Sequence, residues 1–211
     1  MADKYPGWSS YNYVEDNPGR FIDPDGEDVI VLSAPNGAHY AGHSAVLIGN
    51  NKTGWTYYSK DGTTASNGLI GQSKPDEGRH FNSLKEFSEK INNEDAHRDK
   101  PYTQAYQITS TSEQDQKMMT AADKAVKSDY IIGAQDCIQA TSTTLEAAGL
   151  NPGTQLTVDP TSGIVVESLS PIPVIRYEFI KENNKGTDVS DQLVQPKKED
   201  EKKKDKDNEG Q

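Results

Sequence analysis

The sequence lacks the features that stabilise disulfide-rich or membrane proteins. It contains a single cysteine, so no disulfide can form within the chain. No run of 18 apolar residues occurs, which excludes a helical membrane span. The first ten residues, MADKYPGWSS, have no apolar core, so we expect no secretory signal in this stretch. The chain must therefore be held together by a core built from its own side chains.

Apolar residues are also scarce. Only 37 of the 211 residues are Leu, Ile, Val or Phe, and a fraction below roughly 20% with a large net charge usually indicates disorder. The average conceals two kinds of segment. Residues 197–211 contain six lysines, six acids and no hydrophobic residue, so they cannot offset the entropy lost on folding. We predict one folded domain over 29–185 and a disordered, dispensable charged tail over 186–211.

Positive charge is in short supply. The chain has 22 Lys and Arg against 33 Asp and Glu, a net charge of −11. Proteins bind nucleic-acid backbones through Lys and Arg, so nucleic-acid binding is disfavoured as the main function. A nuclease that relies on metal ions is not excluded by this argument. Among His39, His80 and His97 no two residues have i,i+4 spacing, and no second cysteine is present. We therefore expect no zinc site and no cofactor.

Short apolar runs predict an antiparallel hairpin early in the folded region. The run 29–32 is typical of a buried strand, and the runs 43–48 and 55–59 flank a polar Asn/Gly turn. Residues 60–80 are rich in glycine, and we expect a long loop there. Further strands are predicted over 102–109, where apolar and polar residues alternate, and over 172–180, as an edge strand because Pro173 cannot donate to a ladder.

Capping signals predict the helices. Ser83 and Glu86 form a capping box, and Gly149 is a typical residue just past a helix end. Asp159 and Pro160 are typical of the first residues of a further helix. The predicted helices cover about 83–93, 112–128 and 136–148. Because strands and helices are mixed without βαβ alternation, we predict an α+β fold in which a small antiparallel sheet packs against helices.

Residues 1–28 differ from the rest of the chain in being aromatic and rich in Pro-Gly turn signals. The stretch DKYPGWSSYNYVEDNPGRFIDPDG, with YNYV, an Asn-Pro and DPDG in order, closely resembles the end of the Rhs repeat-associated core. This resemblance implies that the chain beyond residue 28 is the C-terminal toxin of a larger protein, secreted and delivered to a target cell by a bacterial secretion system. It also implies two partners, the Rhs core shell and a cognate immunity protein. We expect the effector to be monomeric.

Cys137 stands at the predicted start of the third helix, within GAQDCI. Unpaired amides and the positive end of the helix dipole at such a position favour a thiolate. His43 opens the predicted strand 43–48, and its ring is expected at the mouth of that strand. A lone cysteine can equally be a small, inert core residue. The other histidines (His39, His80 and His97) lie in loop-like sequence and are weaker candidates.

A histidine on a strand followed downstream by a cysteine at a helix start resembles the circularly permuted papain-like domains of NlpC-type peptidases and lecithin:retinol acyltransferase-like families. The residues that carry the resemblance are 42–49 (GHSAVLIG) and Asp136-Cys137, within 29–150. It implies that Cys137 attacks an acyl carbonyl and that His43 accepts and returns the proton. These families often have Asn before the nucleophile. Asp136 occupies that position here, and an acid beside a thiolate raises the thiol pKa.

In these families a third polar group orients the imidazole, and it comes from the strand that follows the histidine. The hairpin register places Ser59 near His43, with Asp61 two residues further on and Tyr58 across the turn. We choose Ser59 as the third residue. The backbone N–H of Cys137 could contribute to an oxyanion hole.

The two resemblances together predict a secreted antibacterial effector with cysteine-dependent hydrolase activity. Peptidoglycan amide bonds are the substrate suggested by family analogy. A lipid acyl hydrolase or acyltransferase and a protein deamidase are alternatives of the same fold, since fold does not decide substrate. An alternative of a different class is a non-enzymatic binding module in which Cys137 is a core residue.

Overall fold

A computed structural model describes residues 28–62, 70–71 and 73–196. The Rhs-like segment, except for Asp28, and the charged stretch 197–211 lie outside the described residues, as do the predictions made for them. The described residues form an α+β fold with one main antiparallel sheet, as the sequence predicts. No helix in the described part of the chain is both long enough and apolar enough to cross a membrane.

The described residues contain ten strands: β1 (Asp28–Ala34), β2 (His43–Asn50), β3 (Gly54–Gly62), β4 (Ile70–Gly71), β5 (Ser73–Phe81), β6 (Gln104–Thr109), β7 (Tyr130–Ile131), β8 (Thr154–Val158), β9 (Val165–Leu169) and β10 (Gly186–Asp188). Six of them form the main sheet, in the order β10-β6-β1-β2-β3-β5. All of its neighbouring pairs are antiparallel, and the predicted hairpin is its β2–β3 pair. Two small two-stranded sheets, β4–β7 and β8–β9, stand apart from it.

The described residues contain four α-helices: α1 (Leu84–Ile91), α2 (Ser112–Lys127), α3 (Cys137–Ala147) and α4 (Pro173–Asn183). The first three match the predicted helices to within two residues at each end. Ser83 accepts a hydrogen bond from the N–H of Glu86, and Thr111 and Gln114 form a reciprocal capping box at the start of α2. Gly149 has a φ of +73° just past α3, the left-handed conformation in which glycine is favoured.

The main sheet buries both of its faces because the side chains of each central strand alternate between two hydrophobic clusters. One cluster joins Val31, Val46 and Tyr58 to α2, α3 and α4. The other joins residues of the opposite face, such as Leu32 and Leu47, to α1 and to the segment that follows β10. This double burial explains why the run 29–32 is continuously apolar rather than alternating.

Three predictions about secondary structure are wrong. Residues 60–80 are not one long loop, since 60–62 belong to β3 and 73–80 to the edge strand β5. Residues 172–180 are not an edge strand, because Pro173 is the first residue of α4, where a missing N–H costs nothing. Asp159 does not cap a helix. Its carboxylate accepts from the N–H groups of Thr161 and Ser162 and closes the β8–β9 hairpin.

The predicted domain end at residue 185 is also wrong. Residues 186–188 pair with β6 as the edge strand β10. Val189 and Leu193 are then buried in the second cluster, with 5% and 6% of their surface exposed. The folded domain therefore extends at least to Leu193.

Candidate active site

Cys137 is the first residue of α3, and its side chain is 4% exposed. The helix begins here because the carboxylate of Asp136 acts as its N-cap. One oxygen accepts from the N–H of Gln139 at 3.1 Å, and the other accepts from the N–H of Gly133 at 2.8 Å. One turn into the helix, the hydroxyl of Thr141 lies 3.1 Å from that of Ser44, which ties α3 to β2. The start of the helix is thereby fixed against the start of β2.

His43 is the first residue of β2, and its side chain is 13% exposed. The chain reaches it through Gly42, whose φ of +93° favours glycine and whose backbone packs directly against Val174 of α4. The ring nitrogen Nε2 lies 2.9 Å from the hydroxyl oxygen of Ser59 and 3.4 Å from a carboxylate oxygen of Asp61. β3 therefore presents two polar groups to the same edge of the imidazole.

The charge of Cys137 acts on the His43 ring. Burial of the ring lowers its pKa, but the negative charge of Cys137, a side-chain hydrogen bond to Cys137 and the charge of Asp61 outweigh burial and raise the pKa to about 9. Lys100 acts weakly in the opposite direction. A cysteine nucleophile requires a base of this kind near its thiol.

Behind Ser59 lies a buried chain of hydroxyl groups. The hydroxyl of Tyr102 is 3.4 Å from that of Ser59 and 2.8 Å from that of Tyr57. Burial raises the pKa of both phenols, so both stay protonated. These linked hydroxyl groups limit the directions in which the Ser59 hydroxyl can point, and Ser59 in turn orients the ring of His43.

The structure brings together the three predicted site residues Cys137, His43 and Ser59, and it adds Asp61. Tyr58 is not part of this group, because it lies on the opposite face of the sheet in the first hydrophobic cluster. The register explains this: Ala45 pairs with Ser59, so the residue opposite His43 is Asp61, and Tyr58 points the other way.

Sequence reasoning missed His97. This residue is 7% exposed, and its ring centre lies 6.2 Å from that of His43 and 5.2 Å from that of Tyr102, on which it is stacked. Burial and the charge of His43 both act to lower the pKa of His97. His80 lies in β5 opposite Thr56, five residues along β3 from Asp61. His39 belongs to a short 3-10 turn at Ala38–Tyr40.

Within the described ranges, no three His, Cys, Asp or Glu side chains are arranged to hold a metal ion. The arrangement instead offers a nucleophile, a base and groups that orient the base. No protein-family model, curated protein or solved structure matches the chain. The geometry of these residues is therefore the main ground for assigning a function.

Proposed function

We propose that the domain is a cysteine-dependent hydrolase in which Cys137 is the nucleophile and His43 the general base. One observation carries the proposal. The lone cysteine of the chain lies at a helix start, and together with the charge of Asp61 it raises the pKa of His43 to about 9, while Ser59 lies 2.9 Å from Nε2 of the same ring. A cysteine that only fills space in the core does not require a histidine held in this way.

The reaction would proceed in two halves. His43 takes the proton of Cys137, and the thiolate attacks the carbonyl carbon of an amide or ester. The imidazolium then gives its proton to the leaving amine or alcohol as the carbon–nitrogen or carbon–oxygen bond breaks, which leaves a thioester on Cys137. In the second half, His43 takes a proton from water, the hydroxide attacks the thioester, and the thiol leaves with the proton returned by His43.

The supporting groups have separate tasks in this mechanism. Because Nε2 is occupied by Ser59, Nδ1 is left to exchange the proton with Cys137. The N–H of Cys137 is at the first position of α3, where it has no helical partner, and it can donate to the oxygen of the tetrahedral intermediate. Asp61, 38% exposed and 3.4 Å from Nε2, stabilises the imidazolium from the solvent side.

We further propose that this enzyme is an antibacterial effector that cleaves peptidoglycan amide bonds. The support comes from the Rhs-like sequence before the domain and from the order of the histidine strand before the cysteine helix, which is that of circularly permuted papain-like domains. Delivery to a bacterial target, a cognate immunity protein and enclosure by an Rhs shell belong to the same proposal.

The experiment is to express the full chain in bacteria, with and without an added periplasmic signal peptide, alongside Cys137→Ser. We expect killing only with the signal peptide, altered muropeptides on chromatography, and neither effect in the variant. Killing from the cytoplasm with intact muropeptides would overturn the peptidoglycan substrate but not the thiol chemistry. Undiminished killing by a folded Cys137→Ser variant would overturn the hydrolase itself.

A second candidate function, a non-enzymatic binding module, is favoured by the β8–β9 hairpin. Leu156, Val158 and Val165 share one face of this hairpin by register and are 58–73% exposed. An exposed apolar face on an isolated hairpin is typical of a binding surface. The test is a folded double variant in which Leu156 and Val158 are replaced with Ser. If the domain is a binding module, this variant should lose its toxicity. If the domain is the proposed hydrolase, the variant should remain toxic.

A further inference from the structure

Lys60 lies between Ser59 and Asp61 in β3, so its side chain points to the opposite face of the sheet from theirs. It is only 2% exposed. The ammonium donates three hydrogen bonds at the end of α2: to the carbonyl oxygen of Ala125 at 3.0 Å, to the hydroxyl of Ser128 at 2.6 Å and to the carbonyl oxygen of Asp129 at 2.9 Å. All of its donors are thereby occupied.

The three acceptors of Lys60 are neutral. Across residues 28–62, 70–71 and 73–196, Lys60 forms no ion pair, so no oppositely charged group is in contact with its buried ammonium. Burying a charge without a counter-charge is expensive. Burial accordingly lowers the pKa of Lys60, and the negative charges that act against this are those of Asp136, Asp129 and Cys137. Two of these three groups start α3.

Lys60 and Cys137 share a cavity. This small, partly open cavity lies between the β2–β3 hairpin and helices α2 and α3, and both residues line it. Asp136 is 5% exposed, and each of its carboxylate oxygens accepts from a backbone N–H group. The N-cap that starts α3 therefore sets a buried negative charge next to the residue that has to become a thiolate.

We propose that Lys60 is a positioning residue whose buried ammonium offsets the carboxylate of Asp136, so that Cys137 can ionise next to an acid. This inference rests on the proposed thiol mechanism and adds the group that tunes its nucleophile. His43 acts on Cys137 from the solvent-facing end of β2, and Lys60 acts from inside the cavity. A lysine that served only to cap α2 would have no effect on the thiol.

The test measures how the rate of Cys137 alkylation by iodoacetamide depends on pH in the folded, full-length protein. Lys60→Met removes the charge and keeps much of the side-chain volume. We expect it to move the thiolate titration upward by about one pH unit, which slows alkylation about tenfold on the acid side of the curve. Lys60→Arg keeps the charge and should shift the curve far less.

Ser128→Ala is the matched control, because it removes one hydrogen bond from Lys60 but leaves the charge in place. It should lower the melting temperature and leave the titration of Cys137 where it is. Asp136→Asn, which keeps an N-cap oxygen, should move the titration downward. Combined with Lys60→Met, it should return the curve close to that of the unaltered protein, as expected of two opposed charges.

Any one of three results would overturn the inference: no shift in Lys60→Met, the same shift in Ser128→Ala, or no shift in Asp136→Asn. If Lys60→Met does not fold, Lys60→Gln serves instead, and an unmoved curve in Asp136→Asn refutes the inference by itself. If the proposed thiol mechanism itself is wrong, the alkylation experiment gives a different result. In that case Cys137 of the unaltered protein reacts only after unfolding, whatever residue 60 is.

Discussion

The protonation of His43 offers a direct test of the thiolate–imidazolium pair. The ring is buried, and burial alone would lower its pKa below the ordinary value of 6.5, yet the pKa is raised to about 9 by the charge of Cys137, a hydrogen bond to it and the charge of Asp61. Replacing Cys137 with Ser removes the first two of these influences. We therefore expect the His43 pKa to fall towards or below 6.5 in Cys137→Ser.

The difference between 6.5 and about 9 corresponds to about 3 kcal/mol of interaction that favours the imidazolium. The assay is an NMR titration of the histidine ring carbons between pH 5 and 10, with the His43 signal assigned by its loss in His43→Gln. In the unaltered protein this signal should stay in its protonated position through pH 7 and move near pH 9.

The direction of the His43 shift also sets how turnover depends on pH. The raised pKa keeps His43 protonated below about pH 9, so the leaving group can be protonated throughout the neutral range, and turnover should fall as pH rises through 9. A His43 titration near 6 that is unchanged by Cys137→Ser would refute the ion pair, and with it the assignment of Cys137 as an activated nucleophile.

Three further predictions concern the frame of the site. Ser59→Ala removes the partner 2.9 Å from His43 Nε2, and we expect about a tenfold loss in the alkylation rate of Cys137 at pH 6.5. Gly42→Ala places a methyl group 2.5 Å from a side-chain carbon of Val174, at a residue whose φ is +93°. We expect thermal unfolding to show that the free energy of unfolding falls by about 1–3 kcal/mol. Ending the chain at 185 removes β10 and two buried apolar side chains, which should lower the free energy of unfolding by about 3–6 kcal/mol. Ending it at 196 should leave the melting temperature unchanged.

Each of these three changes has its own control. Ser88→Ala removes another buried hydroxyl, one that bonds Val194, and should lower stability without slowing alkylation. Ala41→Gly, next to Gly42, adds no atom and should not produce the clash. For the truncations, equal melting temperatures for chains ending at 185 and 196 would show that β10 contributes nothing.

The parts of the fold that could be predicted are those specified by local chemistry. The β2–β3 hairpin follows from two β-rich runs around an Asn/Gly turn, and the two-residue period of its strands then places Ser59 on the side of His43. The start of α3 follows from Asp136 as an N-cap. The candidate site could be read from sequence to this extent because a strand end and a helix start each fix one side chain.

The elements that were not predicted lack a distinctive local signal. The buried positions of α4 are Pro173, Arg176, Tyr177 and Ile180, which have helical spacing but include a proline and a charged residue. Their apolar periodicity is therefore hidden, and Arg176 is stabilised by Ser142 and Gln139 of α3, far away in sequence. β10 has the sequence Gly-Thr-Asp, without an apolar residue, and its backbone pairs with β6. Likewise, no local pattern indicates that the loop after α1 brings His97 to the ring of His43.

The alternation of a single strand links both halves of the candidate site. Ser59 and Asp61 point to one face of β3 and contact His43, while Lys60 points to the other face and reaches the cavity beside Cys137. A one-residue slip of β3 would exchange these faces, taking Ser59 and Asp61 away from His43 and Lys60 away from the cavity. The register of β3 therefore decides both the partners of the His43 ring and the residue that shares the cavity with Cys137.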